Sequence, residues 1–277
     1  MNALVGRPVA VVLGCGDVGS AVALELHRAG YAVVLCDEVD PPWSRRGMAF
    51  TDAWYVGNAV LDRETAMFCA SARSIPAVLD RHRLIVATTW SWRGVALALA
   101  AVALIDARMR KRREGADLRS DVPVGLTTVG LGPGFVAGAN VDIAIETAWG
   151  ERMGAVVTSG PVLPFAGEPR LIGGVGRERF VYAPLAGRFS TDRRIAESVR
   201  QGEWVGAIGA HPIAAPRDGV LRGLSARGAR VTEGSKIVEV DVRGDPALCF
   251  GPGVRPLAVA RGVVSALAAR HGLIAAR

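Results

Sequence analysis

The chain has few of the residues that build redox and metal sites, since its 277 residues include only four cysteines and four histidines. The cysteines are scattered without a C-x-x-C pair, and the histidines show no ligand spacing. This pattern argues against a dedicated zinc site and against a dithiol motif. Scattered cysteines are typical of reduced structural thiols, which predicts a cytoplasmic protein. The four are Cys15, Cys36, Cys69 and Cys249.

Long apolar runs are also absent, because the most apolar stretch, 94–105, is well short of the ~20 residues that a membrane span needs. We therefore expect no membrane partner, and the N-terminus lacks the pattern of a signal peptide. Of 33 basic residues only Lys111 and Lys236 are lysines. The net charge of +7 thus reflects an arginine-rich composition. Aromatic residues are not interleaved with the basic ones, so we expect no nucleic-acid partner.

Glycine is abundant, and its most informative cluster lies near the N-terminus. An apolar run at 9–13, suited to a buried parallel strand, is followed by the spacing G-x-G-x-x-G and by a helical pattern at 18–29. In a dinucleotide-binding loop the three glycines make the turn, admit a pyrophosphate and let the helix pack closely. The pyrophosphate lies on the helix N-terminus. The predicted contacts are Gly14, Gly16, Asp17, Val18 and Gly19.

A second strand at 31–36 ends at Asp37, which is placed to bind the adenosine ribose hydroxyls. The unit therefore predicts a Rossmann-like domain that binds NAD or NADP, with NAD favoured because a 2′-phosphate would meet the Asp37 carboxylate. Arg45 and Arg46 follow on an extended loop and could contact a phosphate or an anionic substrate, or could be a solvated pair. A flavodoxin-like unit, whose glycines only permit close packing, is the alternative.

A second glycine-rich loop, GLGPGFVAG, spans 130–138. Gly130, Gly132 and Gly134 could present backbone amides to an anion, or the loop could be only a complicated turn. Around it we predict strands at 84–88, 122–129, 142–147 and 155–158, and an edge strand at 53–56. We also predict a helix at 94–109 that ends in the basic residues 108–113.

From residue 183 onward the sequence repeats itself at an offset of 32, so that Gly187 recurs as Gly219 and Gly202 as Gly234. Each unit reads as short strands joined by tight turns. The pair resembles the barrel-sandwich hybrid of biotinyl and lipoyl carrier domains, but the hairpin around His211 carries no lysine.

We predict a Rossmann-like domain at 1–176, with a parallel sheet, and a second domain at 177–277. This second domain is a small all-β barrel-sandwich module followed by a helix at 256–270.

Several motifs together resemble the accessory protein family of the selenium-dependent molybdenum hydroxylase system. They include SRRGMAF, IDARMRK, GLGPGF followed by V-D-x-x-x-E-T, and the segment 231–244. The resemblance implies a role in the maturation of molybdenum hydroxylases, with a molybdenum hydroxylase or another maturation factor as partner. It also implies a molybdopterin-type nucleotide as a ligand. The sequence leaves an oligomer open.

Three functions follow from these observations. The first is a maturation factor that binds a nucleotide or another small anionic cofactor between the first glycine-rich loop and the second. The second is an NAD-dependent oxidoreductase, although the Tyr-x-x-x-Lys pair of short-chain dehydrogenases is absent and no catalytic residue is evident. The third is a non-enzymatic scaffold that binds a protein partner through the barrel module.

Overall fold

A computed structural model describes residues 7–110, 117–120, 122–165 and 167–272. Within these residues the chain forms nineteen strands. In chain order they are β1 (Val9–Leu13), β2 (Ala32–Cys36), β3 (Asn58–Leu61), β4 (Glu64–Phe68), β5 (Ile85–Thr88), β6 (Ala103–Asp106), β7 (Thr127–Leu131), β8 (Val136–Ala137), β9 (Ile143–Ile145), β10 (Val156–Val157), β11 (Gly160–Pro161), β12 (Phe180–Tyr182), β13 (Gly187–Ser190), β14 (Ser198–Val199), β15 (Trp204–Ile208), β16 (His211–Ala214), β17 (Gly219–Leu224), β18 (Arg230–Val231) and β19 (Lys236–Asp241).

Five α-helices accompany the strands, and only the first and the last are longer than two turns. Short 3₁₀ segments lie between them, including Arg46–Met48. The helices are α1 (Asp17–Arg28), α2 (Ala53–Val56), α3 (Ile75–Asp80), α4 (Trp92–Ala98) and α5 (Val254–His271).

Nine strands form one mixed sheet in the order β10-β9-β7-β6-β1-β2-β5-β4-β3. The seven inner strands are parallel, whereas β3 and β10 run antiparallel at the two edges. The central strands are apolar and fully buried because both faces of the sheet are covered. Helices α1 and α5 pack on one face, and α3 and α4 lie over the other.

The predicted fold class, a Rossmann-like parallel-sheet domain followed by a barrel-sandwich hybrid, is therefore corrected. The large sheet is mixed and has antiparallel strands at both edges. No helix lies in the crossovers from β6 to β7 and from β7 to β9 among the residues described there, whereas each parallel crossover of a doubly wound fold contains a helix. The molecule combines this sheet with antiparallel sheets and a C-terminal helix.

Strands β8 and β11 form a two-stranded antiparallel sheet, and the rest of the chain contributes two antiparallel four-stranded sheets, β12-β19-β17-β14 and β16-β15-β13-β18. The offset of 32 residues relates β13 to β17, β14 to β18 and β15 to β19. Strands are exchanged between the repeats, since β14 pairs with β17 and β18 pairs with β13. The two sheets enclose a core of their own that includes Phe189, Val205 and Leu221. The domain boundary at 176/177 stays a prediction.

Helix α5 returns to the first sheet instead of joining the antiparallel sheets. Val259, Val263 and Leu267 are buried in the same core as α1. The segment Pro246–His271 is long and apolar enough to cross a membrane by length and hydropathy alone. Because its apolar residues Val259, Val263 and Leu267 are buried beside α1, we assign it as a core helix.

Several local predictions are confirmed, including the strand–helix–strand unit at the N-terminus, the strand β5 and the C-terminal helix. Two are wrong. The predicted edge strand at 53–56 is the short helix α2, and the strand follows it as β3. The predicted helix at 94–109 is α4 followed by β6, because the chain breaks at Ala100, whose φ is 49°. Part of the basic run, 111–113, lies outside the described residues.

Candidate functional site

The first glycine-rich loop has the tight geometry that its spacing predicts. Gly14 follows β1 with φ of 98°, a conformation that favours glycine, and its N–H donates to the Cys36 carbonyl at 2.9 Å. A Cβ on Gly19 would lie 1.8 Å from the Gly14 carbonyl oxygen, so helix α1 packs directly on the loop. Val18 is buried beside it.

The face of this loop that a pyrophosphate would occupy is covered by the chain itself. A Cβ on Gly16 would lie 3.1 Å from the indole of Trp43. That indole donates from Nε1 to Oδ2 of Asp37 at 2.8 Å, and the Cys15 N–H donates to the same oxygen at 2.7 Å. The Glu38 N–H donates to Oδ1 of Asp37 at 2.8 Å. The Asp37 carboxylate thus fastens the loop to the Trp43 segment, and a nucleotide would first have to displace that indole.

Arg45 joins helix α1 to the antiparallel strand β19. Its Nη1 donates to Asp17 Oδ2 at 2.8 Å, and its Nε and Nη2 donate to the two Glu239 oxygens at 2.6 and 3.0 Å. Burial alone would lower the pKa of Arg45, but Glu239 and Asp17 raise it. Burial would likewise raise the pKa values of both carboxyls, but the cations around them, led by Arg45, lower them. All three groups are therefore charged at neutral pH.

More cations than Arg45 surround these two carboxylates. Arg179 donates from Nε to Glu239 at 3.3 Å, while Arg222 and Lys236 also lower the pKa of the Glu239 carboxyl. Arg255 and Lys236 lower the pKa of the Asp17 carboxyl. Arg222 also forms an ion pair with Asp241, and Asp241 pairs with Arg243 as well. We call the following five residues the basic cluster: Arg45, Arg179, Arg222, Lys236 and Arg255.

Two members of the basic cluster have donors without acceptors in the described part of the chain. The Nε of Arg222 is buried and has no hydrogen-bond partner. Arg255 is half-buried and makes no hydrogen bond or ion pair with the described residues. Burial lowers the pKa of Arg255, Asp17 opposes this, and the neighbouring Arg45 lowers it further. The cluster thus carries positive charge that its own carboxylates leave uncompensated.

Arg46 faces away from the basic cluster. Its Nε donates to the Leu224 carbonyl at 2.8 Å and its Nη1 to Asp52 Oδ1 at 2.6 Å. The predicted pair Arg45 and Arg46 is therefore divided between two environments. Neither arginine is a solvated surface residue, because their side chains are 28% and 16% exposed.

The second glycine-rich loop is closed by its own neighbours. A Cβ on Gly130 would lie 2.2 Å from the Phe135 ring, and one on Gly132, where φ is 81°, 2.5 Å from Thr147 Oγ1. Asn140 accepts from the Val136 N–H at 2.8 Å and donates to the Gly134 carbonyl at 3.0 Å. The loop follows β7, and one strand, β6, lies between β7 and β1 in the sheet.

The described residues contain no group of three or more histidine, cysteine or acidic side chains arranged to hold a metal ion. The thiols are also poor nucleophiles. Burial, together with the neighbouring Asp37, raises the pKa of Cys15 well above its usual value and that of Cys36 to about 12.

No family model matches the chain. The chain is 32% identical over 263 residues to an uncharacterized protein, YqeB, of Escherichia coli (strain K12). The match covers 95% of this chain and 48% of YqeB, so the chain spans about half the length of this curated relative.

Among solved structures, 23% of the chain aligns with 22% of a succinylglutamate desuccinylase/aspartoacylase from Rhodobacter sphaeroides, at 30% identity and a TM-score of 0.21. The ectoine utilization protein EutE (DoeB) from Ruegeria pomeroyi aligns over 84% of this chain and 85% of its own, at 12% identity and a TM-score of 0.25. TM-scores this low do not establish a shared fold.

These comparisons correct the expected family and function. No family model matches the chain, and neither YqeB nor the solved structures named above are described as accessory proteins of molybdenum hydroxylases. The predicted nucleotide-binding maturation factor is therefore wrong, and the covered face of Gly16 agrees with this correction. The alternatives, an NAD-dependent oxidoreductase and a scaffold, gain no support. Binding of NAD, NADP or a molybdopterin-type nucleotide is tested by none of these observations and stays a prediction.

Sequence reasoning identified Arg45 but missed the other members of the basic cluster. They are spread from residue 179 to residue 255 and have no shared motif or spacing. A cation on a buried strand is the one signal that could have pointed to them, as at Arg222 and Lys236, which lie within apolar strands. Their convergence depends on tertiary contacts, such as the bridge that Arg45 forms between Asp17 of α1 and Glu239 of β19.

Proposed function

We propose that the protein binds a small anionic ligand at the basic cluster, beside the N-terminal turns of α1 and α5. The observation that supports this most strongly is Arg255, a half-buried cation that has no partner among the described residues and lies beside Arg45. A half-buried charge without a partner costs free energy of folding. An anion in contact with Arg255 would remove that cost.

The start of α5 supports the same site. Arg255 is the second residue of this 18-residue helix, and the N-cap residue, Gly253, supplies no side-chain cap. The first backbone N–H groups of a helix lack intrahelical acceptors and favour negative charge. A phosphate or carboxylate group beside Arg255 would therefore meet both a guanidinium and unsatisfied amides.

The test is thermal unfolding of the whole chain with inorganic phosphate and, separately, with succinate as probes. A ligand at 100 times its Kd stabilises the folded state by about 2.7 kcal/mol, which corresponds to a rise in Tm of several degrees. We expect one of the two probes to give a saturable rise. The variant Arg255→Gln should lose that rise, whereas Arg261→Gln, an exposed arginine on the same helix, should keep it.

The unfolding temperature of Arg255→Gln without any probe supplies a second test. Burial disfavours the charge of Arg255, and the repulsion by Arg45 partly offsets the attraction by Asp17, so Arg255→Gln should unfold at an equal or higher temperature than the wild type in probe-free buffer. A residue that lowers stability without ligand and raises it with ligand is retained for binding. Equal responses of both variants to the probe, or no response of the wild type to either probe, would contradict the proposal.

We also propose that the protein works in the cytoplasm. All four cysteines are free and buried, so the fold does not depend on an oxidising compartment. Fractionation of the producing cells, with the protein detected by antibody, tests this location. Recovery outside the cytoplasm would contradict it.

A further inference from the structure

A cavity of 280 Å³ is lined by Arg46 of the 3₁₀ segment and by residues of α2 and β3, together with Phe250. Its walls are mostly apolar, and three large side chains at its rim, Val56, Val60 and Phe250, are 72%, 63% and 56% exposed. Solvent-exposed apolar side chains around a concavity are typical of a ligand pocket. The volume lies just below the usual range of about 300–1,000 Å³, so the ligand must be small.

The polar groups of the cavity are one cation, one anion and one amide. Arg46 and Asp52 form an ion pair at 2.6 Å, which uses Nη1 of the arginine and Oδ1 of the carboxylate. The second carboxylate oxygen and Nη2 make no hydrogen bond among the described residues. Asn58 is exposed and its side-chain amide has no partner there either. The cavity thus has no net charge, and its ion pair offers one free acceptor and one free donor side by side, near the Asn58 amide.

From this geometry we infer that the cavity binds a free α-amino acid with an apolar side chain. The ammonium and carboxylate of an α-amino acid are separated by one carbon, so they can lie antiparallel to the Arg46–Asp52 pair. The ammonium then contacts Asp52 and the carboxylate contacts Arg46. The apolar side chain covers Phe250 and the two valines, which removes their exposed surface from water.

This site is independent of the proposed anion site. A net anion is disfavoured in the cavity because Asp52 already neutralises Arg46, whereas the basic cluster has an excess of positive charge. The two sites therefore select different ligands, although Arg45 and Arg46 are neighbours in sequence. A zwitterion suits the cavity, and an anion suits the basic cluster.

Isothermal titration calorimetry with L-leucine and L-phenylalanine on the whole chain tests the inference. We expect saturable binding of at least one of them. Leucinamide, which lacks the carboxylate, and 4-methylpentanoate, which lacks the ammonium, should each bind at least tenfold more weakly. Glycine, which lacks the side chain, should give no measurable heat.

Two variants localise the binding. Phe250→Ala removes an exposed ring from the cavity rim and should weaken leucine binding at least fivefold without unfolding the protein. Val254→Ala is the matched control, because Val254 is 70% exposed but does not line the cavity. Arg255→Gln should also leave leucine binding unchanged, which separates this inference from the anion site. Absence of binding by both amino acids, or equal binding by the wild type and Phe250→Ala, would overturn the inference.

Discussion

The two glycine-rich loops of the molecule have similar compositions but are stabilised in opposite ways. The first loop, Gly14 to Gly19, is held by side chains from distant segments, with Trp43 over Gly16 and Arg45 on Asp17. The second loop, Gly130 to Gly138, is filled by residues close in sequence, Phe135 and Asn140 among them.

The difference shows that glycine spacing predicts the backbone geometry of a loop but does not predict that the loop has space for a ligand. In both loops a glycine is required because another atom lies where a Cβ would be. At Gly19 that atom is a backbone oxygen, and at Gly130 it is a side-chain ring that can move.

Gly19→Ala should have the largest effect. Its Cβ would lie 1.8 Å from the Gly14 carbonyl oxygen, so helix α1 must move away from the sheet. We expect a loss of more than about 4 kcal/mol, which urea unfolding or a failure to fold would show. The control is Gly94→Ala, a helical glycine whose Cβ would meet nothing within 4 Å and which should be neutral or slightly stabilising. Equal stability of the two variants would refute this account of the first loop.

Glu239→Gln tests the distant side chains that hold the first loop. The Glu239 side chain is fully buried, and its loss as an anion leaves Arg45 with Asp17 alone and Arg179 with backbone carbonyls. Removing one partner of a buried ion pair costs about 3–5 kcal/mol. Urea unfolding at neutral pH measures the loss. Asp192→Asn, which breaks an exposed pair with Arg227, should cause no measurable change.

Gly130→Ala should cost less than either change, although its Cβ would lie 2.2 Å from the Phe135 ring. The ring can rotate away and leave strain and a packing defect of about 1–3 kcal/mol. If the second loop depends only on its neighbours, the double variant Gly130→Ala with Phe135→Leu should be more stable than the sum of the single effects predicts. Strict additivity in unfolding experiments would show that the ring does not carry the strain.

The smallest effect expected is on pH dependence. Asp17 and Glu239 have folded pKa values lowered below their ordinary values of 3.8 and 4.5. Their contribution to stability is present above the unfolded pKa and is lost as pH falls through the folded pKa. The wild type should therefore lose stability more steeply than Glu239→Gln as the pH is lowered from 5 toward 3. Parallel urea midpoints across that range would contradict the charged state assigned to Glu239.

The strand–helix–strand unit at the N-terminus was predictable because each element is long, apolar and bounded by glycine. The segment 94–109 was not, since a run of alanine, valine and leucine fits a buried helix or a buried strand equally well. In the structure the helix is broken by a left-handed backbone conformation at Ala100. Alanine does not predict that conformation. Periodicity alone could not locate that break.

The candidate site was less predictable than the fold around it. The motif pointed to Gly16 and Asp37, but the residues that cover them, such as Trp43, act through tertiary contacts. The basic cluster joins Arg45 to residues 134 to 210 positions further along the chain, and such convergence has no local signal. The one clue in the sequence, the Arg45–Arg46 pair, did not show that the two side chains point to different places.

The packing of α1 against α5 sets an order of events during synthesis. Helix α1 emerges early, but the residues that cover its apolar face lie in the last helix of the described chain. At a translation rate of about 5–20 residues per second, the intervening chain takes on the order of 10–45 s to appear. During that interval one face of the large sheet lacks its cover, so we expect nascent chains truncated before α5 to recruit chaperones.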